Sequence, residues 1–479
     1  MPPVPPEGGF DTHDVVSRSA LNPVVKDRKA KFTHQTKAQV YTQADVDEAV
    51  EAGLKLIIFE EQVYNITKWY SYHPGGELTL FHLIGKDATD HMVAFHPKKI
   101  LVDFLPRFLV GKFKKTKISE EEEKVSASFK RLVKRIEDAG LHETDHSFFM
   151  GILTRCLLQL ACSIASCLYL PQPYNAIIGG LFMAATWQQV AFFCHDAGHN
   201  GITHDRTFDY TLATCCASFI GGLSMAWWKD SHNVHHIITN HPHHDPDIQH
   251  LPVFAVSPDF FSNIKSTYHK RTLDFDFFCK LLVPVQHHLY FIINSFGRFL
   301  LYALSIGFVM KNEKREARDM RTLEITGMIS FFTWYSCLVA SFNDTYTAFL
   351  FILVSHLASS ILHLQIVVSH FSMDTSCFSC SEHFAVKALR TTMDVECAEW
   401  FDFFHGGLQF QVIHHLFPRV PRHNLRRLKP FVEEFAKENG LKYETHSFVK
   451  GNMIIIGALE EIAQQCWFLM SHAGEKIHI

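Results

Sequence analysis

Long apolar runs, interrupted by short polar clusters, dominate the hydrophobic pattern of this chain beyond residue 150. Stretches 152–170 and 175–194 are nearly free of charge. Each is about 20 residues, the length of helix that crosses ~30 Å of hydrocarbon. Together they predict a membrane hairpin. Stretch 211–228 is apolar but carries Gly221-Gly222 and ends Trp227-Trp228-Lys229, which predicts a segment lying in the membrane interface. Three further apolar stretches follow, 288–310, 324–341 and 348–369. Between the first two of these, Lys311 to Arg321 holds five positive charges. Short loops this basic stay in the cytosol. The segment 288–310, which contains Arg298, is therefore expected in the interface, with 324–341 and 348–369 forming a second hairpin turned at Phe342-Asn-Asp-Thr-Tyr-Thr347. The expected membrane part is all-α, with four transmembrane helices.

The rest of the chain reads as soluble. Residues 1–37 mix proline and charge with few large apolar side chains, the composition of a flexible tail. The start of the chain has no apolar signal-peptide core and is expected in the cytosol. Residues 38–115 form a candidate small α+β unit, with strand-like Leu54–Phe59 and then Tyr64–Trp69. Ser119 and Glu122 have capping-box spacing, and Val125, Phe129, Leu132, Val133 and Ile136 recur at helical intervals. These predict an amphipathic helix in a linker, 116–146, leading toward the membrane. The membrane domain then occupies 147–479. Its last part, 425–479, looks mixed and cytosolic, with a helix over Phe431–Asn439. No internal repeat is evident.

Composition narrows the chemistry. A chain of 479 residues exceeds one ordinary domain. The net charge of −4 and the lack of a basic stripe argue against nucleic acid as a partner. The 12 cysteines are scattered, many within apolar segments, which is not a disulfide framework. Cys377 and Cys380 have metal-knuckle spacing without a second pair. The 32 histidines are the real anomaly.

Seven of them fall in three short runs: His195-Asp-Ala-Gly-His199, His232-Asn-Val-His235-His236 and Gln411-Val-Ile-His414-His415. Positions i, i+3 and i+4 share a helix face, so the histidines within each run point together. Neutral imidazole binds iron, copper and zinc, and seven grouped rings exceed the four ligands of one zinc. With four spans, all three runs reach the same membrane face. The one Glu-x-x-His pair, Glu143 and His146, reads as incidental. Gln286-His287-His288 mimics the third run but heads the interfacial helix and reads as structural, while His241, His243 and His244 read as a solvated loop. The glycines of His405-Gly-Gly407 are expected to admit close packing near the third run, and the Trp227-Trp228 pair to anchor at the interface.

Two resemblances extend this picture. His73-Pro-Gly-Gly76, Gly85-Lys-Asp-Ala-Thr89 and His96-Pro97 resemble the cytochrome b5 fold over roughly residues 38–115. That resemblance implies haem b with His73 and His96 as axial ligands, an iron that carries electrons because both faces are taken. His82 and His91 are then surface or packing residues. The three histidine runs, spaced around two hairpins, resemble the membrane fatty-acyl desaturase and hydroxylase superfamily over residues 38 to 460. Gln411 in place of a first histidine, behind a cytochrome b5 unit, is similar to the front-end desaturase branch.

This second resemblance implies a cytosolic di-iron cap on the membrane domain. Its two irons would be bound by His195, His199, His232, His235, His236, His414 and His415, with His370 at the end of the last span as a further ligand. Gln411 would lie near the metals, and Asp245 and Asp247 would orient metal-bound histidines. The implied activity is oxidoreductase chemistry: O2-dependent dehydrogenation of a lipid alkyl chain, with O2 reduced to water and electrons delivered by the fused haem unit. No nucleotide-binding glycine loop is present, so NADH–cytochrome b5 reductase is the implied electron source. The implied location is the endoplasmic reticulum membrane, multi-pass among membrane lipids, with the haem unit and histidine runs cytosolic. The stretches His232–Asn240, Asp245–Pro252 and Gln411–Arg422 are similar to fungal sphingolipid Δ8 desaturases, which implies the long-chain base of a ceramide as substrate. A front-end acyl Δ6-type desaturase is the runner-up. A lipid hydroxylase would leave C–OH instead of C=C, and a non-catalytic b5-type membrane binding protein would not need paired metal ligands.

Overall fold

The computed structural model describes residues 39–115, 119–311, 320–376 and 382–472. The expected tail at 1–37, most of the basic loop (312–319) and the pair Cys377 and Cys380 lie outside the described residues. The chain divides into two compact units. Residues 39–70, Leu83–Thr89 and 99–115 form one; Ser71–His82, Asp90–Lys98 and the described residues from 119 onward form the other.

The first unit is built on a four-stranded sheet in the order β1-β4-β3-β2, from β1 (Val40–Tyr41), β2 (Leu56–Phe59), β3 (Gln62–Asn65) and β4 (Leu109–Phe113). β2, β3 and β4 pair antiparallel, and β1 joins β4 in parallel. Helix α1 (Gln43–Glu51) starts at Thr42, whose side chain accepts from Asp45 N–H while Asp45 returns the bond, a capping box. The core is Tyr41, Val46, Ala49, Leu54, Leu56, Ile58 and Val63. Gly111 has no room for a side chain: a Cβ there would meet Gln39 O at 2.4 Å. The Gly85–Thr89 stretch docks on β2 through Ile58 N–H to Lys86 O (3.1 Å) and Ala88 N–H to Ile58 O (2.9 Å).

The second unit is mostly helical. Two short helices, α2 (Glu77–Phe81) and α3 (Thr89–Phe95), occur in the segments around His73 and His96. Next is α4 (Glu120–Asp138), capped by the expected Ser119–Glu122 box. Its apolar face does not lead to the membrane. Val125, Phe129, Leu132 and Ile136 are buried in a core with Val412, Ile413, Leu416, Leu428 and Phe435, so α4 covers the third histidine run. Phe129 stacks on Phe417 at 5.8 Å.

Long apolar helices follow at the expected places. α5 (His146–Tyr169) and α6 (Tyr174–Gly198) form the first hairpin. α7 (Arg206–Cys215) leads through a π-helical turn toward α8 (Met225–Ile238); the chain bends by 119° between these two helical segments. α9 (Gln286–Ser295) and α10 (Gly297–Met310) belong to a second bent pair, at 70°. α11 (Arg321–Ala340), α12 (Thr345–Ala358) and α13 (Ser360–Val367) form the second hairpin, α12 and α13 running on as one apolar stretch. Beyond them lie α14 (Phe384–Thr391), α15 (Gln411–Leu416), α16 (Arg422–Glu438) and α17 (Phe448–His472). A parallel strand pair, β5 (Asp394–Glu396) and β6 (Thr445–Ser447), ties the segments either side of α15 and α16.

Five helices among the described residues are long and apolar enough to cross a membrane: the four of the two hairpins, and α17. The sequence pattern missed α17 as an apolar helix. Met453-Ile-Ile-Ile456 and Trp467-Phe-Leu-Met470 are separated by Glu460, Glu461, Gln464 and Gln465, and this dilution hid a continuous 25-residue helix.

The α5–α6 hairpin closes at Gly179. Ser163 Oγ donates to Gly179 O at 2.7 Å, and a Cβ on Gly179 would meet Cys167 Sγ at 2.4 Å. Gly179→Val is expected to lower stability by ~1–3 kcal/mol, the usual cost of overpacking. Gly151→Ala, on the same hairpin with open space around it, should be near neutral. Thermal unfolding in detergent compares the two; equal melting would contradict the close approach.

Candidate metal centre

The three runs end up on helix faces, as their spacing requires. His195 is in the last turn of α6 and His199 caps it. His232, His235 and His236 lie on α8, and Gln411, His414 and His415 on α15. His370 stands just past α13.

These rings converge in two groups. Ligand nitrogens of His195, His199, His232 and His414 all lie within 4.8 Å of one another, and so do those of His235, His370 and His415. His236 joins the two groups: its Nε2 is 3.0 Å from His232 Nε2 and its ring stacks on His415 at 4.3 Å. The nitrogens His195 Nε2, His236 Nδ1, His370 Nδ1, His414 Nε2 and His415 Nε2 are buried with no hydrogen-bond partner. Leaving buried polar atoms unsatisfied is costly, and several such lone pairs aimed at one another need a cation. Burial, reinforced by neighbouring histidines, holds His414 and His415 well below the ordinary imidazole value. Neutral rings of this kind are metal ligands. The donor set therefore fits two metal ions of the nitrogen-preferring type.

Polar neighbours fix the rings. His235 Nδ1 donates to Asp245 at 2.9 Å. Asp245, fully buried, also accepts from Asn240 N–H (2.6 Å) and Asp247 N–H (2.9 Å). This is the carboxylate–histidine pairing that orients a metal-bound ring, and it leaves His235 Nε2 to face a metal. Asp247 is more peripheral, 3.7 Å from His235 Nδ1 and accepting from Ser231 Oγ at 3.1 Å. Gln411 is buried at the start of α15, and Asn240 Nδ2 donates to His370 O at 2.9 Å.

Thr239 was not legible in the sequence. Its Oγ1 donates to His235 O at 2.7 Å, so it accepts from His415 Nδ1 at 3.2 Å. Thr239→Val keeps the shape and removes that acceptor. It is expected to weaken metal retention 10- to 100-fold, roughly the effect of losing an outer partner, with chelator titration as the readout. Unchanged retention would show that His415 needs no such anchor.

Charge at helix ends holds the scaffold. Buried Glu324 accepts from Ser224 Oγ and Ala226 N–H at the start of α8, while Lys387 Nζ donates to Ile237 O at its end. Lys229 Nζ donates to Gly198 O at the end of α6 (3.2 Å). Each charge matches the sign the helix dipole favours. Asp394 on β5 accepts from Val412 N–H at the start of α15 (2.8 Å) and from the Tyr443 hydroxyl. Burial pushes this carboxyl up to about 7. Arg422 pairs with Asp196 (2.9 Å) and donates to Gly406 O (2.9 Å). It thereby ties the first run to the loop before the third.

His73 and His96 face each other at 6.0 Å between ring centroids. His73 Nδ1 is 3.1 Å from Gly76 O, and His96 Nδ1 is 3.3 Å from Met92 O. In each ring Nε2 is therefore the nitrogen that would serve as a ligand atom. Burial pulls both down to about 4, so both are neutral. Gly75 leaves no room for a Cβ, which would meet the His73 ring at 2.8 Å. The pair fits one iron between two imidazoles, as in an electron-carrying haem.

A family model described as fatty acid desaturase matches residues 171–447, more than half of the chain. The chain belongs to the fatty acid desaturase family. A second model, the cytochrome b5-like heme/steroid binding domain, matches residues 42–114, so in this desaturase a cytochrome b5 domain precedes a mostly helical desaturase domain with several candidate membrane helices. A Delta 8-(E)-sphingolipid desaturase of Komagataella phaffii is 36% identical, covering 92% of this chain and 96% of its own. One from Emericella nidulans is 35% identical over 90% and 95%. A Delta(8)-fatty-acid desaturase 1 of Arabidopsis thaliana is 33% identical over 91% and 95%. The desaturase is thus an oxidoreductase of the di-iron, O2-using kind with a haem domain, acting on a lipid substrate in a membrane setting.

Other residues sort cleanly around the desaturase site. Trp228 is no interface anchor: it stacks on His232 at 4.3 Å and lies 5.5 Å from His195. Gly198 makes room for it, since a Cβ there would meet the Trp228 ring at 2.3 Å. Gly406 and Gly407 have positive φ, and a Cβ on Gly406 would clash with Phe192 at 1.9 Å, so the expected close packing is real. A small cavity of about 10 Å³, room for about one water, is lined by His195, His199, His414, Gly406 and Gly407. His241 and His244 form a half-buried pair, 4.2 Å apart, rather than a solvated loop. Gln286 is structural, bonded to Ala255 and Leu459, and His82 and His91 pack against His244 and Phe384.

Proposed function

We propose that this desaturase introduces a C=C at carbon 8 of the long-chain base of a ceramide, the chemistry for which its fungal relatives are named. Its non-haem ligands are His195, His199, His232, His235, His236, His370, His414 and His415. Gln411, Asp245 and Asp247 support them from outside, and His73 and His96 hold haem b. The observation that carries this is the pair of buried imidazole groups with bare, converging nitrogens. Two irons bound there would supply the oxidising power for removing two hydrogens from adjacent methylene carbons, with O2 reduced to two waters by these hydrogens, two delivered electrons and two protons.

The chain's own residues set the conditions. Asp245 and Thr239 fix ring tautomers, so each metal-facing nitrogen keeps its lone pair. Trp228 and Phe192, packed against the histidines and Gly406, exclude bulk water and favour one placement of the lipid tail.

The four hairpin helices cross the membrane, with domains at 1–37, 38–115, 116–146 and 147–479. All histidine runs and the haem domain then face the cytosol, at the endoplasmic reticulum. α17 lies in the interface, since Glu460 and Glu461 at a bilayer centre would each cost about 2.5–3.5 kcal/mol or more. Electrons come from NADH through a cytochrome b5 reductase. The test is expression in a yeast lacking sphingolipid desaturation, with analysis of both long-chain bases and fatty acids. A Δ8-unsaturated base is expected. A Δ6 acyl product would instead favour the acyl alternative, and a hydroxylated base would overturn desaturation.

A further inference from the structure

The second unit contains not only the histidine cluster but also Ser71–His82 and Asp90–Lys98, and its internal contacts join them. Asn233, inside the second histidine run, donates Nδ2 to Gly75 O at 3.2 Å. His383 Nε2 meets Asp90 Oδ2 at 2.9 Å. Ala94 is buried in the core that carries Val412, Ile413 and Leu416 of α15. At the centre, the Phe95 ring meets the His236 ring edge-on, 5.8 Å between centroids and 81° between planes. Phe95 is also the backbone neighbour of His96. One packed aromatic side chain therefore touches a proposed non-haem ligand and adjoins a proposed haem ligand.

We propose that Phe95 is a positioning residue for electron delivery: it sets the contact through which an electron passes from the haem at His96 to the metal centre at His236. The Asp90–His383 and Asn233–Gly75 contacts hold it there. Each transfer oxidises a ferrous haem to ferric and reduces one ferric non-haem iron to ferrous, with no bond made or broken. Two transfers serve one turnover, and the reductase replaces both electrons. The inference rests on the ligand assignment above and adds the route between the two sites.

The test follows haem absorbance in the full-length protein by stopped flow. Reductase-reduced wild type is mixed with O2 and a ceramide, then compared with Phe95→Leu, Phe95→Tyr and Asp90→Ala. Phe95→Leu should keep the haem spectrum and reduction rate but slow haem reoxidation by about tenfold or more, as small misplacements of reacting partners do. Phe95→Tyr should restore it. Asp90→Ala should slow it less and raise hydrogen exchange across Asp90–Lys98. Chemical reduction of the non-haem irons, bypassing the haem, should give Phe95→Leu a normal single turnover. Wild-type reoxidation in both Phe95→Leu and Asp90→Ala overturns the route, as does failure of the bypassed turnover, which means structural damage. Should wild-type haem not be reoxidised in a substrate-dependent way, it is the proposed function that fails instead.

Discussion

His235→Ala is expected to abolish desaturation while leaving the haem spectrum unchanged. His235 is the ring on which most of the site's geometry depends. It groups with His370 and His415, and its Nδ1 is the partner of Asp245, a fully buried carboxylate. Truncation removes a proposed metal ligand and also strips Asp245 of the imidazole donor it has among the described residues, leaving a buried carboxylate held by two backbone N–H groups. Losing an outer partner typically costs 10- to 100-fold in metal affinity or activity, so losing the ligand together with its anchored carboxylate should exceed about 100-fold. Asp245→Asn should fall within the lesser range, because the amide still accepts at one oxygen. Product formation, non-haem iron content and the haem absorbance together check this. An active His235→Ala protein with full iron would show that the ring is structural.

His73→Ala is expected to remove haem and stop turnover without emptying the non-haem centre. His73 supplies one of two facing rings, and the remaining His96 cannot hold both faces of the iron. A tethered donor works at an effective concentration on the order of millimolar, so free cytochrome b5 added at micromolar levels should restore only a small fraction of activity. Non-haem iron should stay at the wild-type level. Full turnover of His73→Ala without added cytochrome b5 would refute the tethered-donor account.

Much of the site was legible because helical spacing is local. Residues at i, i+3 and i+4 share a face whatever the tertiary fold, so His195 with His199, and His232 with His235 and His236, could be grouped from sequence. The Pro-anchored Asp245 could be suspected for the same reason, being ten residues from its partner. What was hidden depends on distant packing. No local pattern marks Thr239 as the acceptor for His415, Arg422 as the partner of Asp196, or Trp228 as a wall of the site. Likewise, the amphipathic face of α4 was plain, but its partner, the core around α15 and α16, was not. α17 was missed because two Glu and two Gln break its apolar run, although one face of it packs through Ile455, Leu459 and Cys466.

The central claim is that two neighbouring groups of buried imidazoles cage a pair of irons. Quantitative metal and haem analysis of the purified full-length protein tests it most directly. Two non-haem irons for each haem are expected, with both lost together in His235→Ala and the haem retained. A preparation that turns over yet binds at most one non-haem metal per haem, or binds zinc there instead, would contradict the account.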